Sequence, residues 1–193
     1  MASEAHEKYD GRTRVFRSEW IDAARRLFIE GGVENVKIDV ISRELKITRG
    51  SFYARFESRE ELLQALIEDW QNRNNTPVID AIRRSGARGK KADFTIIGDL
   101  WIDEKDFDPR YDSAMRDWAR KDEAVAAIVH RIDDIRIGAF TDMFMAYGFD
   151  RDEAFIRARI TYFHQVGYYA LGVRETPEER LRLGPLYDKV LLD

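Results

Sequence analysis

Side chains that carry cationic and hydrogen-bonding groups are concentrated around two phenylalanines in one short stretch. Phe52 and Phe56 stand four residues apart, which places both on one side of a helix. Four residues around them fall mainly toward the opposite side and offer hydroxyl, phenol and guanidinium groups: Arg49, Ser51, Tyr53 and Arg55. Thr48 and Gly50 lie at the N-terminal end of the same helix. Because such groups bind phosphates and base edges, the stretch has the chemistry of a nucleic-acid surface.

A second short helix, predicted from Ile38, Ile41 and Leu45, precedes this stretch. Two short helices joined by a tight turn, the second with a polar outer face, form a helix-turn-helix pattern. Such a helix fits the DNA major groove, and the N–H groups at its N-terminal end favour phosphate. The pattern favours DNA binding, although its generic form also occurs in proteins that bind no DNA.

The sequence offers few side chains for enzyme chemistry. It has no cysteine and three histidines, His6, His130 and His164, none of them in a Glu-x-x-His or His-Glu-x-x-His spacing. No Walker-type glycine loop, Gly-x-Ser-x-Gly elbow or dinucleotide fingerprint occurs. We therefore expect no enzyme, no metal and no cofactor. The alternative to a DNA-binding protein is a helical module that binds small molecules or proteins.

The charge of the chain is unevenly distributed. The 193 residues carry a net charge of −4, yet the segment from Lys37 to Arg59 contains six basic residues and three acidic ones. A local basic face is compatible with one DNA-facing end and equally with an ordinary mixed surface. The apolar stretches are shorter than the ~20 residues of a membrane helix, and no signal peptide is evident. We expect a cytoplasmic protein without a membrane partner.

Helical periodicity dominates the chain, and no alternation typical of strands occurs. Capping patterns predict helix starts at Ser18, Thr48, Ser58, Asp150 and Thr176. One long helix is predicted over residues 122–147, another around 94–101, and the clearest loop at 85–91. The prediction is an all-α fold of about nine helices, with an N-terminal three-helix helix-turn-helix domain and a C-terminal helical domain.

Several motifs follow one another at fixed spacings between residues 18 and 70. They are Ala23-Ala24-Arg25-Arg26-Leu27-Phe28, Gly31-Gly32, Ile41-Ser42-Arg43-Glu44, Ile47-Thr48-Arg49-Gly50-Ser51-Phe52-Tyr53-Ala54-Arg55-Phe56 and Ser58-Arg59-Glu60-Glu61-Leu62-Leu63. The segment resembles the tetracycline-repressor (TetR) family of transcriptional regulators. The resemblance implies a DNA-binding domain at residues 12–58, a linking helix at 58–84, and a ligand-binding and dimerisation domain at 85–193.

The resemblance also implies which residues contact DNA. Arg49, Ser51 and Arg55 match positions near bases or the adjacent backbone, while Tyr53 and Arg59 match positions that hold phosphates. The full predicted set is Lys37, Thr48, Arg49, Gly50, Ser51, Tyr53, Arg55 and Arg59. In the alternative interpretation, Tyr53 covers the helix surface and the two arginines pair with Glu57 or Glu60. The upstream basic arm consists of Arg12, Arg14 and Arg17. Two interpretations of this arm stay open, namely a disordered segment and a segment that contacts DNA.

Three positions depart from the family pattern. Lys37 replaces a threonine that often caps the second helix and touches phosphate, and lysine can do only the latter. Leu45 replaces a small residue. Lys46 stands where a turn glycine is common, so the turn must form without the residue that most easily adopts left-handed backbone angles.

The C-terminal part has no motif as distinctive. Its aromatic and methionine side chains suit an apolar or aromatic effector, and they are equally suited to ordinary core packing. The candidate pocket residues are Trp101, Tyr111, Met115, Trp118, Phe140, Met143, Phe144, Tyr147 and His164. His164 also fits the role of a hydrogen-bonded structural histidine.

A homodimer is expected because one short reading helix binds weakly, whereas two half-sites add their binding energies. The candidate interface residues are Phe155, Ile156, Arg159, Ile160, Phe163, Val166, Gly167 and Ala170. The alternative is that this stripe packs within its own subunit. The expected protein is a ligand-responsive repressor on a palindromic double-stranded DNA operator. Its unidentified effector shifts the helix at 58–71 and so changes the separation of the two reading helices.

Overall fold

The computed structural model describes residues 15–89, 101–102, 104 and 106–192, and these residues form helices and no β-strand. The chain divides into two compact units, Met1–Leu66 and Ile67–Asp193. The helices are α1 (Arg17–Gly31), α2 (Ile38–Glu44), α3 (Gly50–Tyr53), α4 (Arg59–Trp70), α5 (Thr76–Arg88), α6 (Pro109–Ala119), α7 (Glu123–Ala146), α8 (Arg151–Ala170) and α9 (Pro177–Leu192). The all-α fold class is confirmed.

Aromatic side chains form the centre of the first unit. Trp20 and Phe28 of α1 are fully buried, as is Phe52 of α3. The Trp20 and Phe52 rings meet edge to face at a centroid distance of 5.1 Å. Phe52 also stacks on Phe56 at 5.3 Å. These contacts join α3 to α1, as the spacing of the two phenylalanines predicts.

Helix caps explain most of the element boundaries. Asp122 and Asp150 cap α7 and α8 by accepting hydrogen bonds from two backbone N–H groups each. Thr176 and Glu179 form a reciprocal capping box before α9. The predicted cap at Ser18 is wrong: α1 begins at Arg17, and the Glu19 carboxylate accepts the N–H of the capping residue, Phe16, at 2.8 Å.

The cap before α4 is only half of the predicted box. The Ser58 hydroxyl accepts the Glu61 N–H at 3.2 Å, but the Glu61 carboxylate accepts the N–H of Glu57 instead of that of Ser58.

The loop predicted at 85–91 is wrong over its first residues, since α5 continues to Arg88 and ends at Gly89 (φ +69°). Ser85 is buried and hydrogen-bonds to the Tyr147 hydroxyl. A Cβ at Gly86 would lie 3.4 Å from the Met143 Cα, so glycine here permits close helix packing. Residues 90–91, and residues 94–100 of the predicted helix at 94–101, lie outside the described residues.

A π-helical segment, Gln71–Asn75, joins α4 to α5, and buried charges surround it. Arg136 is 2% exposed and donates to the Asn74 carbonyl at 3.0 Å and to the Asp112 carboxylate at 3.2 Å. The Trp70 indole N–H donates to the same carboxylate at 3.2 Å. Arg116 also pairs with Asp112, at 3.1 Å. Asp112 therefore fixes the end of α4 within the second unit.

The turn between α2 and α3 has a left-handed residue that is not glycine. Lys46 has φ +57°. The N–H groups of Lys46 and Ile47 donate to the carbonyls of Arg43 and Ser42, at 3.2 and 3.0 Å, which is the bonding pattern of a Schellman C-cap. The expectation of a turn made without glycine is confirmed. The left-handed backbone angles of Lys46 cost about 1–2 kcal/mol, because the Cβ lies too close to the following carbonyl oxygen.

Replacing Asp112 should destabilise the protein strongly. Burial alone would raise the pKa of Asp112, but Arg136 and Arg116 outweigh burial and hold that pKa below its ordinary value. Asp112→Asn leaves the Arg136 charge buried and uncompensated, so we expect a loss of about 3–5 kcal/mol in urea unfolding at pH 7. Asp134→Asn, an exposed aspartate on α7, is the matched control and should change little.

The same carboxylate predicts a pH dependence of stability. Because the folded pKa of Asp112 is depressed, its contribution is complete above its unfolded pKa of ~3.9 and is lost as the pH falls through the folded value. Urea unfolding between pH 5 and pH 2 should therefore show a smaller loss for Asp112→Asn than for the wild type. Equal losses in both proteins would contradict this role.

Lys46→Gly should stabilise the protein by about 1 kcal/mol, because glycine adopts the left-handed angles without steric cost. Lys46→Ala removes the same charge but keeps the Cβ, so it should give no comparable gain. Urea unfolding of the three proteins separates the two effects. A gain of the same size in Lys46→Ala would show that charge, and not backbone strain, is responsible.

Candidate nucleic-acid interface

The reading segment is shorter as an α-helix than its sequence predicts. The α3 helix has four residues, and further backbone hydrogen bonds extend the helical turn on both sides. The Ser51 N–H donates to the Thr48 carbonyl and the Phe56 N–H to the Phe52 carbonyl, each at 3.0 Å. The predicted cap at Thr48 is wrong, because Arg49 holds the N-cap position and the Thr48 hydroxyl lies 3.3 Å from the Ser51 hydroxyl.

The outer face of α3 presents the polar groups that the sequence predicts there. Tyr53 is 54% exposed while the neighbouring Phe52 is fully buried. Arg49 and Gly50 are exposed, and the Arg49 guanidinium lies 3.5 Å from the Asp39 carboxylate. An exposed ion pair of this kind is weak, so Arg49 can exchange Asp39 for a phosphate or a base at little cost. The Arg49 guanidinium donates a hydrogen bond to the Tyr53 hydroxyl, and this bond together with the charge of Asp39 raises the pKa of Arg49, which keeps it charged.

Lys37 lies at the N-cap of α2, and its side chain makes no capping hydrogen bond. It is exposed at the end of the helix where backbone N–H groups favour an anion. The predicted loss of the threonine cap is therefore confirmed.

Arg55 and Arg59 differ from the exposed cations because they bind backbone carbonyls. Arg59 donates from Nε to Val36 and from a terminal nitrogen to Val33, each at 2.7 Å. Arg55 donates from Nε to the Val15 carbonyl at 3.2 Å. Neither contact is with Glu57 or Glu60, the partners of the alternative interpretation. Arg59 thereby ties the first residue of α4 to the connection between α1 and α2.

Arg17 has a structural role that the sequence does not reveal. Its guanidinium lies over the Phe56 ring, 4.1 Å from the centroid, and donates to the Arg55 carbonyl at 2.8 Å and to Glu61 at 2.7 Å. In the sequence it is only the last cation of a basic arm, and a cation–π contact across 39 positions has no local signature. Arg12 and Arg14, the other two cations of the arm, lie outside the described residues.

The second unit presents the predicted interface residues on one side of α8. Phe155, Ile156, Ile160 and Phe163 are 43–53% exposed, and the Arg159 guanidinium lies over the Phe155 and Phe163 rings. Ala170 is exposed and Gly167 is partly buried, whereas Val166 packs against the hydrophobic core of its own unit, in agreement with the alternative interpretation for this residue. The inner side of α8 is buried and consists of Ala154, Ala158, Thr161, Tyr162 and Gln165.

A cavity of about 420 Å³ lies between α8 and α9. Of the nine candidate pocket residues, Trp101 and His164 line it. Trp118 is partly buried elsewhere, and six others are buried in the unit: Tyr111, Met115, Phe140, Met143, Phe144 and Tyr147. Sequence reasoning missed Gln165, Tyr168 and Arg180 because they come from two helices whose facing sides only the fold brings together.

The described residues contain neither a metal-binding cluster nor a membrane-spanning helix. No group of three or more histidine or carboxylate side chains there is arranged to hold a metal ion. Nor does that part of the chain contain a helix long and apolar enough to span a membrane.

Comparison with known proteins assigns the helix-turn-helix. Residues 21–66 match the model of bacterial regulatory proteins of the tetR family. The chain is 28% identical over 90 residues to the uncharacterized HTH-type transcriptional regulator YuxN of Bacillus subtilis, an alignment that covers 45% of this chain and 31% of that protein. It is 38% identical over 56 residues to the HTH-type transcriptional regulator SrpR of Pseudomonas putida, covering 29% and 26%. The matches thus span less than a third of these relatives.

The fold as a whole has a counterpart among solved structures. The fatty acid degradation regulator FadR from Bacillus halodurans superposes with a TM-score of 0.63 at 14% sequence identity, covering 96% of this chain and 97% of that one. This likeness shows the fold over both units, while the sequence matches lie at the helix-turn-helix. The relatives are regulators and not enzymes. The N-terminal unit therefore carries the helix-turn-helix DNA-binding domain of the tetR family of bacterial regulatory proteins.

Proposed function

We propose that the whole chain is a sequence-specific transcriptional regulator, a repressor that binds its operator as a homodimer and releases it when a small molecule binds. The observation that carries this proposal is the division of α3 into a buried apolar side and an exposed polar side, within a segment that matches the tetR family. A helix presented in this way fits the DNA major groove. As a regulator of transcription, the protein works in the cytoplasm.

Within this proposal the predicted DNA-binding residues have two kinds of role. Arg49 and Tyr53 are exposed on α3 and contact bases or phosphates directly, together with Thr48 and Ser51. Gly50 has no side chain and lets the DNA backbone approach the helix end. Lys37 contacts a phosphate from the start of α2. Arg55 and Arg59 hold the carbonyls of neighbouring segments, so they position the reading helix and contact phosphate only with their remaining N–H groups.

The exposed side of α8 supports a homodimer. Four large apolar side chains, about half exposed, stand in one stripe, and contiguous apolar patches of this kind mark interaction sites. Aromatic and arginine side chains, such as Phe155, Phe163 and Arg159, are enriched at interfaces. A twofold pair of such surfaces would present two reading helices to the two halves of a palindromic operator.

The proposed release by a ligand requires that the ligand bind DNA-free protein more tightly than DNA-bound protein. The helix α4 supplies a covalent connection, since it begins in the first unit at Arg59 and ends in the second at Trp70. We propose that an effector held in the second unit shifts α4 and thereby the separation of the two reading helices.

Replacing Arg49 and Tyr53 tests the DNA contacts. On DNA identified by footprinting upstream of the chain's own gene, each alanine variant should weaken binding about 10- to 100-fold, since one good contact is worth ~1–3 kcal/mol. Arg131→Ala, an exposed arginine on α7 with the same loss of charge, is the control. Fluorescence anisotropy measures the affinities at one fixed salt concentration. Unchanged binding in both variants would favour the alternative of a helical module without DNA binding.

A charge on the exposed side of α8 tests the dimer. Phe163→Glu places a carboxylate where the proposed interface is apolar, so the protein should sediment as a monomer and bind operator at least tenfold more weakly. Ala127→Glu, at an exposed position on α7, adds the same charge away from this side and should leave both properties unchanged. A variant that remains dimeric in analytical ultracentrifugation would place the interface elsewhere.

A further inference from the structure

Asp39 is an acidic residue beside the cations and hydroxyl groups of the reading helix. It lies in the first turn of α2 and is exposed, and its carboxylate is 3.5 Å from a terminal nitrogen of Arg49 at the beginning of α3. The Arg49 guanidinium also donates to the Tyr53 hydroxyl. A carboxylate of α2 and a phenol of α3 thus hold Arg49 between the two helices of the helix-turn-helix.

The position of Asp39 in its helix accounts for a carboxylate there but not for its contact with Arg49. An acidic residue in the first turn interacts favourably with the helix dipole, and this needs no partner on another helix. The side chains of Asp39 and Arg49 are 64% and 60% exposed, and an ion pair as exposed as this one contributes little stability. Its effect is instead to hold an acceptor and a donor next to each other at the surface.

A phosphate is a poor ligand for this pair. Exchange of Asp39 for a phosphate leaves the carboxylate beside that phosphate, and like charges next to each other are unfavourable. The edge of a base is uncharged and requires no exchange. A guanidinium has five N–H groups, so the contacts of Arg49 with Asp39 and Tyr53 leave donors for a base. Asp39 therefore favours base edges over the phosphates that all DNA presents.

A G·C base pair presents the groups that complement Arg49 and Asp39 together. In the major groove, guanine offers the acceptors N7 and O6, and cytosine offers the N4 amino donor next to them. Guanine O6 and cytosine N4 are hydrogen-bonded to each other and lie about 2.9 Å apart. This separation is close to the 3.5 Å between the Arg49 nitrogen and the Asp39 oxygen. An A·T pair presents acceptor, donor and acceptor in that order, which places its last acceptor against the carboxylate.

We propose that Asp39 is a specificity-determining residue, which together with Arg49 reads one G·C pair in each half of the operator. The Arg49 guanidinium donates to guanine, and the Asp39 carboxylate accepts a hydrogen bond from the N4 amino group of the paired cytosine. The inference rests on the proposed function, in that α3 lies in the major groove. It adds the identity of a base pair, and it assigns the recognition of the cytosine to α2.

Methylation of a single nitrogen tests the contact with cytosine. Selection of random duplexes by the full-length protein gives the operator, and N4-methylcytosine then replaces each cytosine position of the two half-sites in turn. This base still pairs with guanine, but its methyl group takes the place of the N4 hydrogen in the major groove. At one cytosine position the modification should weaken binding by the wild type about tenfold, because a hydrogen bond to a charged acceptor is lost.

Three variants separate the contact from the charge. Asp39→Ala removes the acceptor, so it should bind the modified and unmodified operators within twofold of each other. Arg49→Ala should lose its preference for guanine at the same base pair. Glu30→Ala removes the same charge from an exposed position near the end of α1 and should keep the tenfold effect of methylation. Fluorescence anisotropy at one fixed salt concentration measures the affinities, and circular dichroism confirms that each variant folds.

The outcomes distinguish this inference from the proposed function. If selection enriches no duplex, the regulator proposal fails and the inference fails with it. If the operator binds but the wild type and Asp39→Ala respond equally to methylation at every cytosine, the inference alone fails. An operator in which Arg49→Ala alters the preference at no G·C pair has the same consequence. Asp39 would then act through its charge alone, and Asp39→Ala would bind non-operator DNA more tightly than Glu30→Ala without any change in base preference.

Discussion

The burial of Phe52 and Phe56 is the constraint on which the reading surface depends. A helix of four residues is far too short to be stable alone, since helix nucleation is unfavourable and only longer segments offset it. Here the two rings are held by Trp20 on one side and by the Arg17 guanidinium on the other. Because the inner side is fixed, the backbone that carries Arg49 and Tyr53 on the opposite side is fixed as well. This backbone is therefore already ordered before the protein contacts DNA.

The two ends of α4 are fixed by different parts of the chain. At its first residue, Arg59 holds the carbonyls of Val33 and Val36. At its last residue, the Trp70 indole N–H donates to the Asp112 carboxylate, which also forms an ion pair with Arg136. A rearrangement of the buried charges would therefore act on Trp70 directly, and the helix would transmit it along its backbone. This gives the proposed response to a ligand a specific starting point within the second unit.

The sequence predicts the parts of the structure that depend on neighbouring residues. The burial of Phe52 and Phe56 and the caps at Asp150 and Thr176 all follow from spacings of a few positions. It does not predict what depends on distant partners. Ser85 and Gly86 read as a loop, but the fold brings them against α7 and keeps them helical. The sequence shows three arginines only as cations: Arg17, Arg55 and Arg59. The fold shows that each of them donates hydrogen bonds to backbone carbonyl groups.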